Sequence, residues 1–202
     1  MRILIISLSA ILISNFYGFS QSYVEELRSK RVLHMAELLD TSKHILTADE
    51  AAYFQGVAYF EIDTSYILNA HFKLDRGKWF EMPTTTARKP IYRRYGFVEF
   101  ELNGILHHLT VYQNKALRKK PGLEDYLFIP FNDLTNGKES YGGGRYLDFR
   151  IPENLSVALD FNLAYNPYCA YADRYSCPIP PVENKLLIEI RAGEKVPVGK
   201  NK

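Results

Sequence analysis

Residues 97–109 read FVEFELNGILHHL, and the Asn103-Gly104 pair at their centre decides how the rest of the chain is read. A two-residue type I′ turn needs positive φ at both positions, which asparagine and glycine tolerate best, so the flanking runs fold back on each other as a hairpin. The turn also sets the register. Leu102 faces Ile105, Phe100 faces His107, Val98 faces Leu109 and, on the opposite surface, Glu99 faces His108. His107 thereby falls on the buried face, as a core histidine with a satisfied hydrogen bond or as a polar group lining an internal pocket, while His108 falls on the wetter one.

Outward from the hairpin, Tyr, Phe, Val and Ile alternate with polar residues in short runs separated by Gly, Pro, Asn and Asp. Strands are predicted over 66–74, 78–82, 92–102, 105–113, 126–131, 145–149, 157–163 and 186–191. About eight antiparallel strands with short connections predict an all-β or mainly β fold, either an antiparallel barrel or a two-sheet sandwich, with an N-terminal helix. That helix is expected over 23–39, because Ser22 and Glu25 have capping-box spacing; Thr47 and Glu50 repeat the pattern before a short second helix. The expected organisation is a leader over 1–20, a helical segment over 21–55 and a β domain over 56–202.

The leader reading rests on a positive start at Arg2, an apolar run over 3–13, and Gly18-Phe19-Ser20, which put small residues where a signal peptidase cuts. A spanning helix takes about 20 apolar residues, more than this run has. The expectation is a secreted or periplasmic protein, cleaved after Ser20, with no stable membrane insertion; an uncleaved anchor is the alternative. The whole chain has 25 basic and 23 acidic residues, and the leader removes only Arg2, leaving 24 against 23. Nucleic acid is not an expected partner: the basic runs Arg88-Lys89 and Arg118-Lys119-Lys120 sit beside Pro90 and Pro121 and read as solvated loops.

Two cysteines in an exported chain read first as a disulfide, and Cys169 and Cys177 would close a loop of nine residues. Free thiols and a metal site are the alternatives, although C-x7-C is not zinc-ribbon spacing. In Tyr141-Gly142-Gly143-Gly144-Arg145, successive amides can form an anion-binding concavity beside a guanidinium, or the glycines make a turn and Arg145 a structural ion pair. Asp160 and Asn162 share one face of a strand end, as a ligand shelf or as caps for the loop's own backbone. Asn166, Tyr171 and Asn184 add hydrogen-bonding tips nearby. The candidate ligand-binding set is therefore Arg145, Asp160, Asn162, Asn166, Tyr171, Asn184 and His107, with no metal and no cofactor expected. No G-x-S-x-G elbow, H-E-x-x-H helix or dinucleotide fingerprint is present. The favoured function is a small-molecule or anion-binding module. The alternatives are a hydrolase-type enzyme using Cys169 or an Asp160-centred acid–base pair, and a structural cell-envelope protein.

The runs YGGGRYLD (141–148), DFNLAYNPYCAY (160–171), YSCPIPPVEN (175–184) and IRAGEK (190–195), together with FEID (60–63), MPTTTAR (82–88) and LFIPFND (127–133), closely resemble the uncharacterised, mainly bacterial domain of unknown function 1684 family. The resemblance implies a mainly β domain. It draws attention to Arg145, Asp160, Asn162, Asn166, Cys169, Tyr171, Cys177 and Asn184, and implies no reaction, substrate or cofactor.

Overall fold

The structure, a computed structural model, describes residues 4–198, with side chains from Gln21 onward. The leader expected over 1–20 and its cleavage point thus lie outside the described side chains. The chain divides into two compact units, Met1–Ala52 and Tyr53–Lys202.

The first unit is helical. α1 spans Leu4–Leu39 without a break, so Ser22 lies inside a helix and not at its start. The expected capping box at Ser22 is unused because upstream carbonyls already accept the amides that a cap would have satisfied. Asp40 ends α1 and accepts from the Ser42 amide at 3.0 Å, starting a 3-10 turn over Thr41–Lys43. The second capping box does form: Thr47 N–H donates to Glu50 Oε2 at 2.8 Å and Glu50 N–H to Thr47 Oγ1 at 3.2 Å, opening α2, Ala48–Tyr53. Among the described residues no helix is long and apolar enough to cross a membrane.

The second unit is one antiparallel sheet of seven strands: β1 Ile67–Leu74, β2 Trp79–Glu81, β3 Ile91–Leu102, β4 Ile105–Asn114, β5 Tyr126–Phe131, β6 Arg145–Arg150 and β7 Ser156–Asp160. They run in the order β6-β5-β4-β3-β1-β7, with β2 also on β3. The sheet curls into a half-barrel; the two-sheet sandwich is not adopted. The central hairpin has the register its turn dictates, with Leu102 opposite Ile105, Phe100 opposite His107 and Glu99 opposite His108. Asn103 and Gly104 have φ of 55° and 73°. Toward its other end β3 slips by one residue between Arg94 and Gly96, so Tyr92 pairs with Asn114. The slip lets β3 serve β1 along one stretch and β2 along the next.

Phe100, Leu109, Ile129, Phe131 and Phe161 are buried together on the concave side. Phe161 meets Phe100 and Phe131 edge-on at 5.5 and 5.4 Å between ring centroids. Burying each such ring contributes about 3 kcal/mol. After β7 the chain returns past β6, where Tyr146 and Tyr165 exchange both backbone hydrogen bonds at 2.9 and 3.0 Å, covering that sheet edge.

The strand expected over 186–191 does not form, and β7 stops at Asp160 where the reading ran to 163. Leu186 N–H bonds Asn132 O at 2.8 Å and Leu134 N–H bonds Ile188 O at 2.9 Å, so a ladder begins. The Asp133 side chain then accepts the Ile190 amide at 3.2 Å, where a regular strand would present a carbonyl. At β7 the Asp160 carboxylate accepts from Asn162 N–H at 2.9 Å and turns the chain into a 3-10 segment, Phe161–Leu163.

Candidate functional site

Apart from His107, the candidate residues singled out in the sequence lie in the irregular C-terminal third and are engaged with the chain's own backbone and side chains. Arg145 is wholly buried. It donates to Asp133 Oδ2 at 2.7 Å, to Ile190 O at 2.7 Å, to Glu194 O at 3.1 Å and to Ala192 O. Phe60 and Phe131 lie against the guanidinium at 5.7 and 5.4 Å. Gly144, at φ 88°, precedes it where a Cβ would stand 2.8 Å from Phe131 O. The glycine run is thus a tight approach of backbone, and Arg145 fastens the tail.

Asn184 has the same kind of role. Its Oδ1 accepts the Thr110 amide at 2.7 Å and its Nδ2 donates to Thr110 O and Pro130 O at 2.9 and 2.8 Å, joining β4 to β5. Asn162 accepts from Asp63 N–H at 3.1 Å and donates to Asp63 O at 2.8 Å. Asp160 takes two of Asn162's donors. Glu194 Oε2 receives both the Asn166 amide at 2.7 Å and the Tyr171 hydroxyl at 2.6 Å. His107 stands apart: half-buried and stacked on Phe100 at 5.6 Å, with no hydrogen-bond partner for its Nε2 among the described residues. The candidate set is therefore a clamp network plus one histidine outside it, and none of its members lines either cleft described below.

Cys169 and Cys177 are buried and unbridged, the Cys169 amide donating to Cys177 Sγ at 3.3 Å, so the expected disulfide is not formed in this structure. The hydrogen bond to the Cys169 side chain, followed by burial, holds the Cys177 thiol well above its ordinary range. An attacking thiolate at Cys177 itself would require the opposite shift. The cysteine loop docks on the 84–88 segment: Thr85 N–H donates to Cys177 O at 2.9 Å and Arg88 Nη2 to Ser176 O at 2.6 Å.

A cleft of about 700 Å³ opens beside that segment, between the start of β3 and the turn after β4. Arg88, Lys115, Lys119 and Lys120 line it, with Ile91, Tyr92, Pro90 and Leu117 as apolar wall, and no carboxylate contributes. None of the four cations makes an ion pair with a described residue. Asn114 shapes the far wall, its Oδ1 accepting the Ala116 and Leu117 amides at 2.8 and 2.9 Å. Tyr92 is buried, and that burial raises its pKa, so the phenol stays neutral toward an incoming anion. A second cleft, of about 430 Å³ and confined to the helical unit, carries both signs, with Lys43 and Glu37 paired at 2.9 Å. Arg88, Lys119 and Lys120 read in the sequence as solvated loop residues; the hairpin, with the slip in β3 that sets Tyr92 opposite Asn114, brings the two basic runs to one end.

The profile of the family described as protein of unknown function (DUF1684) matches residues 52–195. Among solved structures, the solution NMR structure of an uncharacterized protein of Haloarcula marismortui is similar, with 29% identity and a TM-score of 0.65 over 88% of this chain and 96% of that one. None of the curated proteins matches.

Proposed function

This chain belongs to the DUF1684 family of proteins of unknown function, and on that premise we propose that it is an anion-binding module whose site is the basic cleft between Arg88 and Lys120. One observation carries the reading: four cations line a concavity that holds no acidic side chain. Four like charges this close repel one another, and an anionic ligand relieves the repulsion while the cleft walls exclude part of the solvent that would screen it. The apolar wall of Ile91, Pro90 and Leu117 suits a ligand with a carbon skeleton behind its charged group.

Isothermal titration with inorganic phosphate and with an organic phosphate ester tests the reading against a Lys119→Ala/Lys120→Ala variant. The expected result is binding that weakens about tenfold in the variant and falls with added salt. Absence of binding by the unaltered protein, or affinity unchanged in the variant, overturns it.

Export belongs to the same proposal. The apolar run over 3–13 and the small residues at 18–20 support a leader cleaved after Ser20, giving a secreted or periplasmic protein. N-terminal sequencing of protein recovered from its native host checks this. The even cysteine count supports a Cys169–Cys177 bridge in an oxidising compartment, which a thiol count on the same material reads directly.

A further inference from the structure

The cleft ends at Lys115, and on the other side of that lysine stands a second group of cations arranged around one indole. Trp79, half-buried on β2, has the Arg93 guanidinium 4.6 Å from its ring centroid and Lys115 Nζ and the Arg118 guanidinium each at 5.8 Å. Tyr95 extends the group, with Arg93 at 5.5 Å and Arg76 at 4.8 Å from its ring. The guanidinium of Arg93 is oriented by a neutral group, donating through Nε and Nη2 to Gln113 Oε1 at 3.0 and 2.6 Å. Arg76 donates to the Tyr95 hydroxyl at 2.8 Å. None of these four cations makes an ion pair with a described residue, whereas Arg94 next to them is paired with Asp75 at 3.0 Å. The aromatic rings thus hold the cations in place by their faces and leave the charge itself uncompensated.

We propose that the Trp79 cations are a second anion subsite, joined to the cleft through Lys115, so that the natural ligand carries at least two phosphate-type groups. This rests on the cleft being an anion site and adds the number and spacing of charges. Arginine forks suit phosphoryl oxygens, and a lysine shared between two subsites suits a bridging group between two phosphates. Single-stranded nucleic acid fits less well: its bases stack on open aromatic faces, and those of Trp79 and Tyr95 already meet cations.

The experiment compares inorganic orthophosphate, tripolyphosphate and a short oligothymidylate by titration calorimetry on the unaltered protein and on Arg118→Ala and Arg118→Lys variants. Arg118 is exposed and makes no hydrogen bond that the fold needs, so these variants fold. The expected result is tripolyphosphate at least about tenfold tighter than orthophosphate, an advantage lost in Arg118→Ala and partly kept in Arg118→Lys, with orthophosphate affinity unchanged in both. Orthophosphate bound but tripolyphosphate no tighter overturns the second subsite and leaves the cleft standing. Neither phosphate bound overturns both. Oligothymidylate bound as tightly as tripolyphosphate assigns the face to nucleic acid and overturns the proposal.

Discussion

Asp133 and Arg145 form an ion pair at 2.7 Å with both side chains at 0% exposure, and the Nη1 and Nη2 groups of the same guanidinium also hold the carbonyls of Ile190, Ala192 and Glu194. One pair therefore fixes a tail that has no strand of its own. Removing one partner strands a charge in the interior, which costs about 4 kcal/mol. Arg145→Met is expected to lose stability of that order in urea unfolding with an unchanged slope. Arg145→Lys recovers little, because an ammonium cannot reproduce the fork that reaches three carbonyls and a carboxylate at once. Phosphate affinity of the folded protein is expected to be unaffected in both, which separates a clamp from a ligand contact.

Asn184 offers a second test of the clamp. Its amide bridges Thr110 and Pro130, so Asn184→Ala leaves the Thr110 amide and two carbonyls buried without partners. The expected loss is about 3 kcal/mol. Asn184→Asp retains the acceptor for Thr110 N–H but turns a carboxylate oxygen toward two carbonyls, and is expected to be no better. Thermal unfolding of the two variants side by side checks the ordering.

Two glycines predict opposite sensitivities. At Gly96 a Cβ would stand 2.4 Å from Lys73 O and 3.0 Å from the Phe72 ring. Gly96→Ala must therefore push β1 away from β3, at a cost of about 3 kcal/mol. Gly104 has φ 73° and nothing within 4 Å, so Gly104→Ala meets only the left-handed backbone cost of about 1 kcal/mol. Equal losses at the two positions would contradict the close approach of β1 to Gly96.

The hairpin was legible because Asn103-Gly104 leaves one turn type, and one turn type leaves one register. Seven strands followed from alternation alone, while the eighth failed because Asp133 captures the Ile190 amide, a long-range event with no trace in the local pattern around 186–191. The clamp residues stand out in the sequence with both a ligand-binding and an architectural reading open, since Arg145, Asn166 and Asn184 are the same residue types whether they hold a ligand or a distant carbonyl. The cleft was missed because Arg88 and Lys120 are separated by the whole hairpin. The hairpin, with the slip in β3 that sets Tyr92 opposite Asn114, places them at one end.

Alkaline pH is expected to unfold the protein through its tyrosines. Burial, ahead of every other cause, raises Tyr92, Tyr112, Tyr126, Tyr141, Tyr146, Tyr165 and Tyr171 above the ordinary phenol value of about 10. Several also donate to carboxylates: Tyr126 and Tyr165 share Asp148 Oδ1 at 2.7 and 2.6 Å, and Tyr112 reaches Glu183 at 2.6 Å. Above about pH 10 the unfolded chain sheds phenolic protons that the folded chain keeps, so ionisation favours unfolding. The stability these groups lend is complete below that pH and is lost as pH rises through their folded values. Tyrosinate absorbance and circular dichroism, followed together in one titration, are expected to show these seven of the chain's 15 tyrosines ionising only as the dichroism collapses. Smooth ionisation of all 15 with the fold intact would overturn the prediction. Asp148→Asn removes the shared carboxylate but not the burial, so the alkaline midpoint is expected to move little.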